Sequence, residues 1–374
     1  MAFQEILLHV GLPKTGTTSI QRAFGEASAE LRQHGIVYPL FPSSQPGEML
    51  ENHTFPLRYL VNFKYSGTFG DPIKFVDPSA CRVVWEELLQ IEGKALIFSG
   101  EGLADMPGPY IQRLSELLTP LLAPGGRMKI LVVMREPGDW LASILNQMRK
   151  RYLRSAPFGA DQNAAGFGRA KGRKVRLNHW AEDFPQASIE VFRFEEMRAQ
   201  GGIASAMTKW AELPVELSDF RENGSLSYEA KTLLNRLHDR RVRMEVSNFL
   251  DLPGSKDRLV QGEHEADLQA KIEEFDRVCE FAGVPAYSRE DCVFLDLHSP
   301  TLWSADSLVA LQKAIAQETR LNQIRAWSEI LNLSRDTTTK YHQDAKERMR
   351  KFGLRELFKL KPGLVLKFIT GSII

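Results

Sequence analysis

Ile6-Leu7-Leu8-His9-Val10-Gly11-Leu12-Pro13-Lys14-Thr15-Gly16-Thr17-Thr18 is the stretch whose reading decides the fold. Its first half is an apolar run rich in strand formers that stops at Gly11; its second half is a short loop of Pro, Lys, Gly and Thr. A helical pattern follows at once, over Ser19-Ile20-Gln21-Arg22-Ala23-Phe24. A strand, a loop and a helix amino end, in that order, offer unpaired backbone N–H groups and the positive end of a helix dipole to an anion. Lys14 adds a charge that can reach a phosphate or sulfate, and the hydroxyls of Thr15, Thr17 and Thr18 add donors. Gly16 allows close backbone approach where a Cβ would intrude. A plain Thr-capped helix is the competing reading, because Thr18 and Gln21 stand at capping-box spacing.

Working outward, near-continuous apolar strands alternate with helical patterns. Ala95–Phe98 leads into Ser99-Gly100-Glu101, and Met128–Met134 runs directly into Arg135; Ile189–Phe194 is a further strand. Helices are expected at 17–33, 52–62, 79–91, 109–122, 139–153 and 175–183, with a Pro/Ser/Gly surface loop at 41–50 and a breaker at Pro124-Gly125-Gly126. This alternation predicts an α/β fold, a three-layer parallel sheet covered on both faces. Ligands of such sheets sit at the carboxyl ends of the strands, where the 11–18 loop, Glu101 and Arg135 would share one rim. Beyond about 220 the strand signal fades into helical patterns at 228–243, 263–282 and 304–331. The reading is therefore an α/β core over 1–220 and a helical extension over 221–374, with Asp296–Pro300 as a linker.

Composition sets bounds on function. At 374 residues, 43% hydrophobic and 25% charged, the chain can bury a sizeable core. A formal net charge of +1 gives no global reason to expect nucleic-acid binding. Cys81, Cys279 and Cys292 form no CxxC pair, which points to a reduced compartment. Met1–Glu5 lacks the basic and apolar regions of a signal peptide, no apolar run reaches the ~20 residues of a bilayer span, and a cytoplasmic protein is expected. The sequons at Asn52, Asn223 and Asn332 then carry little weight.

Spacing separates two kinds of phosphate cradle. A Walker A loop places Lys directly after its last Gly, whereas Lys14 precedes Gly16 by two residues and Thr17 stands in the Lys position. The second piece is Arg135-Glu136-Pro137, with Trp140 and Ser143 following at intervals of three. Arg135 at a strand end and Ser143 about two helical turns later can point at one anion above the sheet. The order Pro13-Lys14-Thr15-Gly16-Thr17-Thr18 resembles the 5′-phosphosulfate loop of sulfotransferases that use 3′-phosphoadenosine-5′-phosphosulfate (PAPS). The Arg135 and Ser143 spacing resembles their 3′-phosphate motif. Leu177, Trp180, Phe184 and Phe194-Glu195-Glu196-Met197 resemble the bacterial and carbohydrate-type members. The resemblance runs in order over residues 6–197. It implies a P-loop-like fold, PAPS as co-substrate held by Lys14, Thr15, Gly16, Thr17, Thr18, Arg135 and Ser143, no metal, and sulfuryl transfer to a hydroxyl or amine.

The Arg-Lys-Gly nucleotide loop of the cytosolic small-molecule enzymes is absent; Gly168–Lys174 is its candidate substitute. From Arg149 to Arg176 nine Lys/Arg face one acid, Asp161. Such runs are usually solvated, yet this one suits an anionic nucleotide and, with the 41–50 loop, a carbohydrate or glycolipid acceptor. The chemistry needs in-line positioning, stabilisation of developing charge and removal of a proton. Lys14 would stabilise the leaving phosphate oxygen. Glu101, after a strand, leads as base, as Glu does in several carbohydrate enzymes of the family; His53, in a helix after a flexible loop, is the competitor. A P-loop kinase or NTPase is the alternative, but it wants a strand ending in Asp for its metal, and these strands end in Glu101 and Arg135. A catalytically silent nucleotide-binding protein is a third reading. The tail from Lys340 carries nine Lys/Arg and three acids and ends in Leu364–Ile369; it reads as a docked helix or a peripheral membrane contact at the inner face.

Overall fold

The computed structural model describes residues 2–63, 72–155, 175–220, 230, 233–234, 237–238, 241–249, 259–260, 265–291, 294–295, 305–319, 321–323 and 325–327. Several expectations lie outside these residues: the basic segment Gly168–Lys174, Cys292, the sequons at Asn223 and Asn332, the linker 296–300 and the tail from Lys340.

Five parallel strands form the central sheet: β1 (Phe3–Gly11), β2 (Ile36–Val37), β5 (Gly93–Glu101), β6 (Leu122–Met134) and β7 (Ala187–Arg193), in the order β2-β5-β1-β6-β7. Consecutive residues Ile6, Leu7, Leu8, His9 and Val10 are all buried, which a period-two strand shows only when both of its faces are covered. The α/β architecture is therefore as the alternation of apolar strands and helices requires. Helices α1 (Thr17–Gln33), α2 (Thr54–Leu60), α3 (Pro78–Leu88), α4 (Gly108–Leu118), α5 (Pro137–Ser155), α6 (Leu177–Asp183), α7 (Phe194–Ala199) and α8 (Ile203–Trp210) follow along the chain. On one face of the sheet Leu7, Ile97, Leu131 and Val133 pack against Ile20 and Phe24 of α1 and Met207 and Trp210 of α8. Fully burying one such side chain contributes roughly 1.5–3 kcal/mol.

Three local readings change. The 41–50 loop is a hairpin, closed by the antiparallel pair β3 (Phe41–Pro42) and β4 (Met49–Leu50) and tied to the next segment by Ser44 N–H donating to Phe75 O at 3.0 Å. Pro124-Gly125-Gly126 does not end an element but sits inside β6. Between the pairs Phe3–Leu122 and Glu5–Arg127, β6 spends five residues where β1 spends two, and Gly125 at φ 79° makes that excursion possible. The helix read over 304–331 stops at Ala316 as α10 (Ala305–Ala316), and Thr319 starts a new turn by accepting Asn322 N–H on its hydroxyl at 3.3 Å.

The chain divides into two compact units. The first comprises 1–144, 168–223 and 262–293, so it holds the sheet and also α9 (Glu265–Ala282), which a single cut at 220 assigns to the extension. The second comprises 145–167, 224–261 and 294–374. In it, β8 (Leu259–Val260) pairs with β9 (Phe294–Leu295) in parallel, and Glu318 accepts hydrogen bonds from Glu245 N–H and Asn248 Nδ2 at 2.8 and 3.1 Å. No helix among the described residues is long and apolar enough to cross a membrane.

Candidate active site

The strands are parallel, so Gly11, Glu101, Met134 and Arg193 end on one rim. The loop after β1 is shaped by hydrogen bonds to its carbonyls. Thr15 Oγ1 donates to Leu12 O at 2.7 Å, Trp140 Nε1 to Pro13 O at 2.7 Å, and Arg135 Nη1 to Lys14 O at 3.2 Å. Three successive loop carbonyls are thus turned to protein donors. Lys14 itself takes φ 68°, a left-handed conformation uncommon for a residue with a Cβ, and Gly16 follows at φ 80°. Glycine is needed at 16 on packing grounds too, since a Cβ there would lie 2.5 Å from Ile203 Cδ1. Gly16 is the N-cap of α1; no side chain caps that end, and no acid occupies its first turn. The capping-box reading does not hold, because the N-cap is Gly16, two residues before Thr18, and Gln21 Nε2 reaches Ser99 O at 3.5 Å.

Arg135 reaches the loop from the end of β6. Its guanidinium lies 5.1 Å from the centre of the Phe194 ring and 3.6 Å from Asp139, and its Nε is buried without a protein partner. Ser143 lies on α5, half-buried, two turns after Arg135. The amino end of α5 is satisfied internally: Glu136 accepts Gly138 N–H at 2.7 Å and Asp139 N–H at 2.6 Å, and Glu195 accepts Glu136 N–H at 3.0 Å. Burial pushes the Glu195 carboxyl up, against the pull of that backbone hydrogen bond and of Arg135.

Glu101 is the last residue of β5 and pairs in register with Gly11. Its carboxylate accepts Thr17 Oγ1–H at 3.0 Å, which brings two expected site residues into direct contact across the rim. Its backbone is pinned by α2: Thr54 Oγ1 donates to Glu101 O at 2.5 Å and Arg58 Nη2 to Gly102 O at 2.8 Å. Gly102 N–H closes the edge on Gly11 O at 2.7 Å. Sequence reasoning missed Thr54 and Arg58, because a Thr and an Arg in a short helix carry no signal of their own.

His53 is placed differently from the expectation that it reaches an acceptor pocket. It is fully buried among Tyr38, Phe41 and Phe98. Its Nδ1 accepts Ser99 N–H at 2.9 Å, so the proton is on Nε2, which donates to Pro39 O at 2.6 Å. The lone pair a base would use is occupied. Burial lowers its pKa to about 4, against the opposing hydrogen bond to Pro39. His9 is equally buried beneath the loop, with Nδ1 2.8 Å from Ser99 Oγ and its pKa lowered by burial to about 3. Of the other quoted residues, Trp180 and Phe184 stack at 5.5 Å in the core and Met197 is buried there, away from the rim chemistry.

No family model and no curated protein matches the chain. Solved structures similar to it include three sulfotransferases. One is a sulfotransferase from Alicyclobacillus acidocaldarius, 15% identical with a TM-score of 0.35, covering 63% of this chain and 91% of that one. The sulfotransferase domain from the curacin biosynthetic pathway is 13% identical with a TM-score of 0.29, over 58% and 76%. Mouse sulfotransferase SULT7A1, complexed with PAP, is 15% identical with a TM-score of 0.28, over 92% and 89%. At these TM-scores the likeness decides nothing about activity.

Proposed function

We propose that the protein is a sulfotransferase that moves a sulfuryl group from PAPS to a hydroxyl or amine, with a carbohydrate or glycolipid as the acceptor class. The observation that carries the reading is the α1 amino end, left without a capping side chain while its loop carbonyls are held by Thr15, Trp140 and Arg135. The residues suit a nucleotide with two anionic ends. The loop amides through Thr17, with Thr18 and Lys14, would hold the 5′ phosphosulfate, and Arg135, whose buried Nε lacks a protein partner, would take the 3′-phosphate together with Ser143.

Roles follow from position. The Lys14 ammonium stabilises charge growing on the leaving phosphate oxygen. Glu101, held at the rim by Thr17 and α2, takes the proton of the acceptor hydroxyl as that oxygen forms its bond to sulfur. His53 and His9 stay neutral beneath, holding Ser99 and thereby the end of β5. Thermal unfolding with PAP, PAPS or Mg-ATP tests the reading. Stabilisation by PAP and PAPS alone supports it, Mg-ATP stabilisation supports a kinase-like protein, and PAP binding without sulfuryl transfer to any screened acceptor points to a silent binder. Glu101→Gln is expected to keep PAP affinity and lose most turnover; near-normal turnover removes Glu101 from the role.

A further inference from the structure

Lys271 is the one lysine among the described residues that is almost wholly buried, 3% exposed, and it comes from α9. An ammonium in that position costs several kcal/mol unless it is paired. Two features compensate. Glu274, one turn on and itself buried, accepts from Nζ at 2.7 Å, and Nζ lies 4.9 Å from the centre of the Trp140 ring and 5.7 Å from that of Phe275. Phe275 meets Trp140 edge-on at 5.8 Å. The indole so enclosed is the one whose N–H donates to Pro13 O in the anion loop. The other Glu274 oxygen accepts Val175 N–H at 3.1 Å, and Val175 directly follows the basic run Gly168–Lys174 in sequence. One buried ion pair therefore reaches the wall of the loop through Trp140 and holds the Val175 amide.

We propose that Lys271 and Glu274 are positioning residues for the donor site, an inference that rests on reading the 11–18 loop as that site. A pair serving stability alone gains little over an apolar pair of similar volume. Here the ammonium fixes the ring plane, the ring fixes the direction of Pro13 O, and the loop amides keep their outward orientation. The carboxylate separately fixes the Val175 amide. Helix α9 thus belongs to the donor site although it contributes nothing that touches the nucleotide.

The test compares the full-length protein with Lys271→Met/Glu274→Gln, which removes both charges and keeps an acceptor for Val175. Trp140→Phe, which keeps a ring against Lys271 and deletes only the indole donor, is the second variant. PAP affinity by calorimetry is expected to fall roughly ten-fold in each, and the triple variant is expected to bind no worse than Trp140→Phe, because both changes act on one contact. Additive losses would overturn the proposal. The indole N–H resonance of Trp140, assigned by its loss in Trp140→Phe, is read in the same samples. A shift of that signal and of the Thr15 to Thr17 amides in Lys271→Met/Glu274→Gln supports positioning; wild-type positions overturn it. If the wild type does not bind PAP, the donor reading falls, and the resonances still decide the clamp.

Discussion

Two helices begin on the same rim and end their first turns in opposite ways. At α5 the chain supplies its own anion: Glu136 accepts two backbone N–H groups, and Asp139 sits in the first turn. At α1 a glycine stands at the N-cap, no side chain caps the backbone, and no acid occupies the first turn, although the Glu101 carboxylate across the rim accepts the Thr17 hydroxyl. The dipole and the unpaired donors are alike at both ends. What differs is whether the sequence provides the acceptor. An internal carboxylate closes the first backbone donors of α5, whereas α1 has no side-chain cap, as the proposed anion site requires.

Removing the charge of the open end should have the largest effect. Lys14→Met is expected to slow sulfuryl transfer by about 10²–10³-fold, in line with losing one stabilising group at a developing charge, while the melting temperature without ligand stays near wild type. Initial rates with labelled PAPS measure it, and a loss under ten-fold would break the contrast. Arg135→Met should weaken PAP binding by roughly ten- to hundred-fold, the scale of a charge-assisted hydrogen bond, read by calorimetry.

Acid should loosen the floor beneath α1. His53 and His9 have pKa values lowered to about 4 and about 3, so the folded state binds fewer protons than the unfolded one below 6.5. Their contribution is fully present above that pH and is lost as pH falls towards the folded values. The slope is about 1.4 kcal/mol per pH unit for each group. Urea unfolding at pH 7 and pH 5 should show the drop, and His53→Gln should flatten part of it. The smallest effect is the most direct probe of the comparison. Glu136→Ala should cost about 1 kcal/mol in chemical denaturation, and by opening α5 it should make stability respond more to added sulfate than in the wild type.

Much of the candidate site was legible because its signals are local. The Pro13–Thr18 loop and the Arg135–Ser143 spacing each lie within a single strand–helix junction, where residue order and period decide the geometry. His53 was misread because an Asn-His pair after a loop looks exposed, and only the aromatic packing of Tyr38, Phe41 and Phe98 encloses it. The bulge in β6 was hidden for a related reason: Pro-Gly-Gly is a breaker until a neighbouring strand supplies the register that absorbs it.

By itself the sequence determined a parallel α/β sheet, a strand–loop–helix junction that is not of Walker type, and the residues that crowd one rim. Apolar periodicity and turn chemistry act over a few residues and need no partner from afar. Tertiary structure alone decided which of those residues touch. Thr17 meets Glu101 across 84 positions, Trp140 meets Pro13 across 127, and a buried Lys271 backs that indole from the C-terminal half. Hydrogen-bond partners and burial are set by packing between distant segments, and no local pattern encodes them.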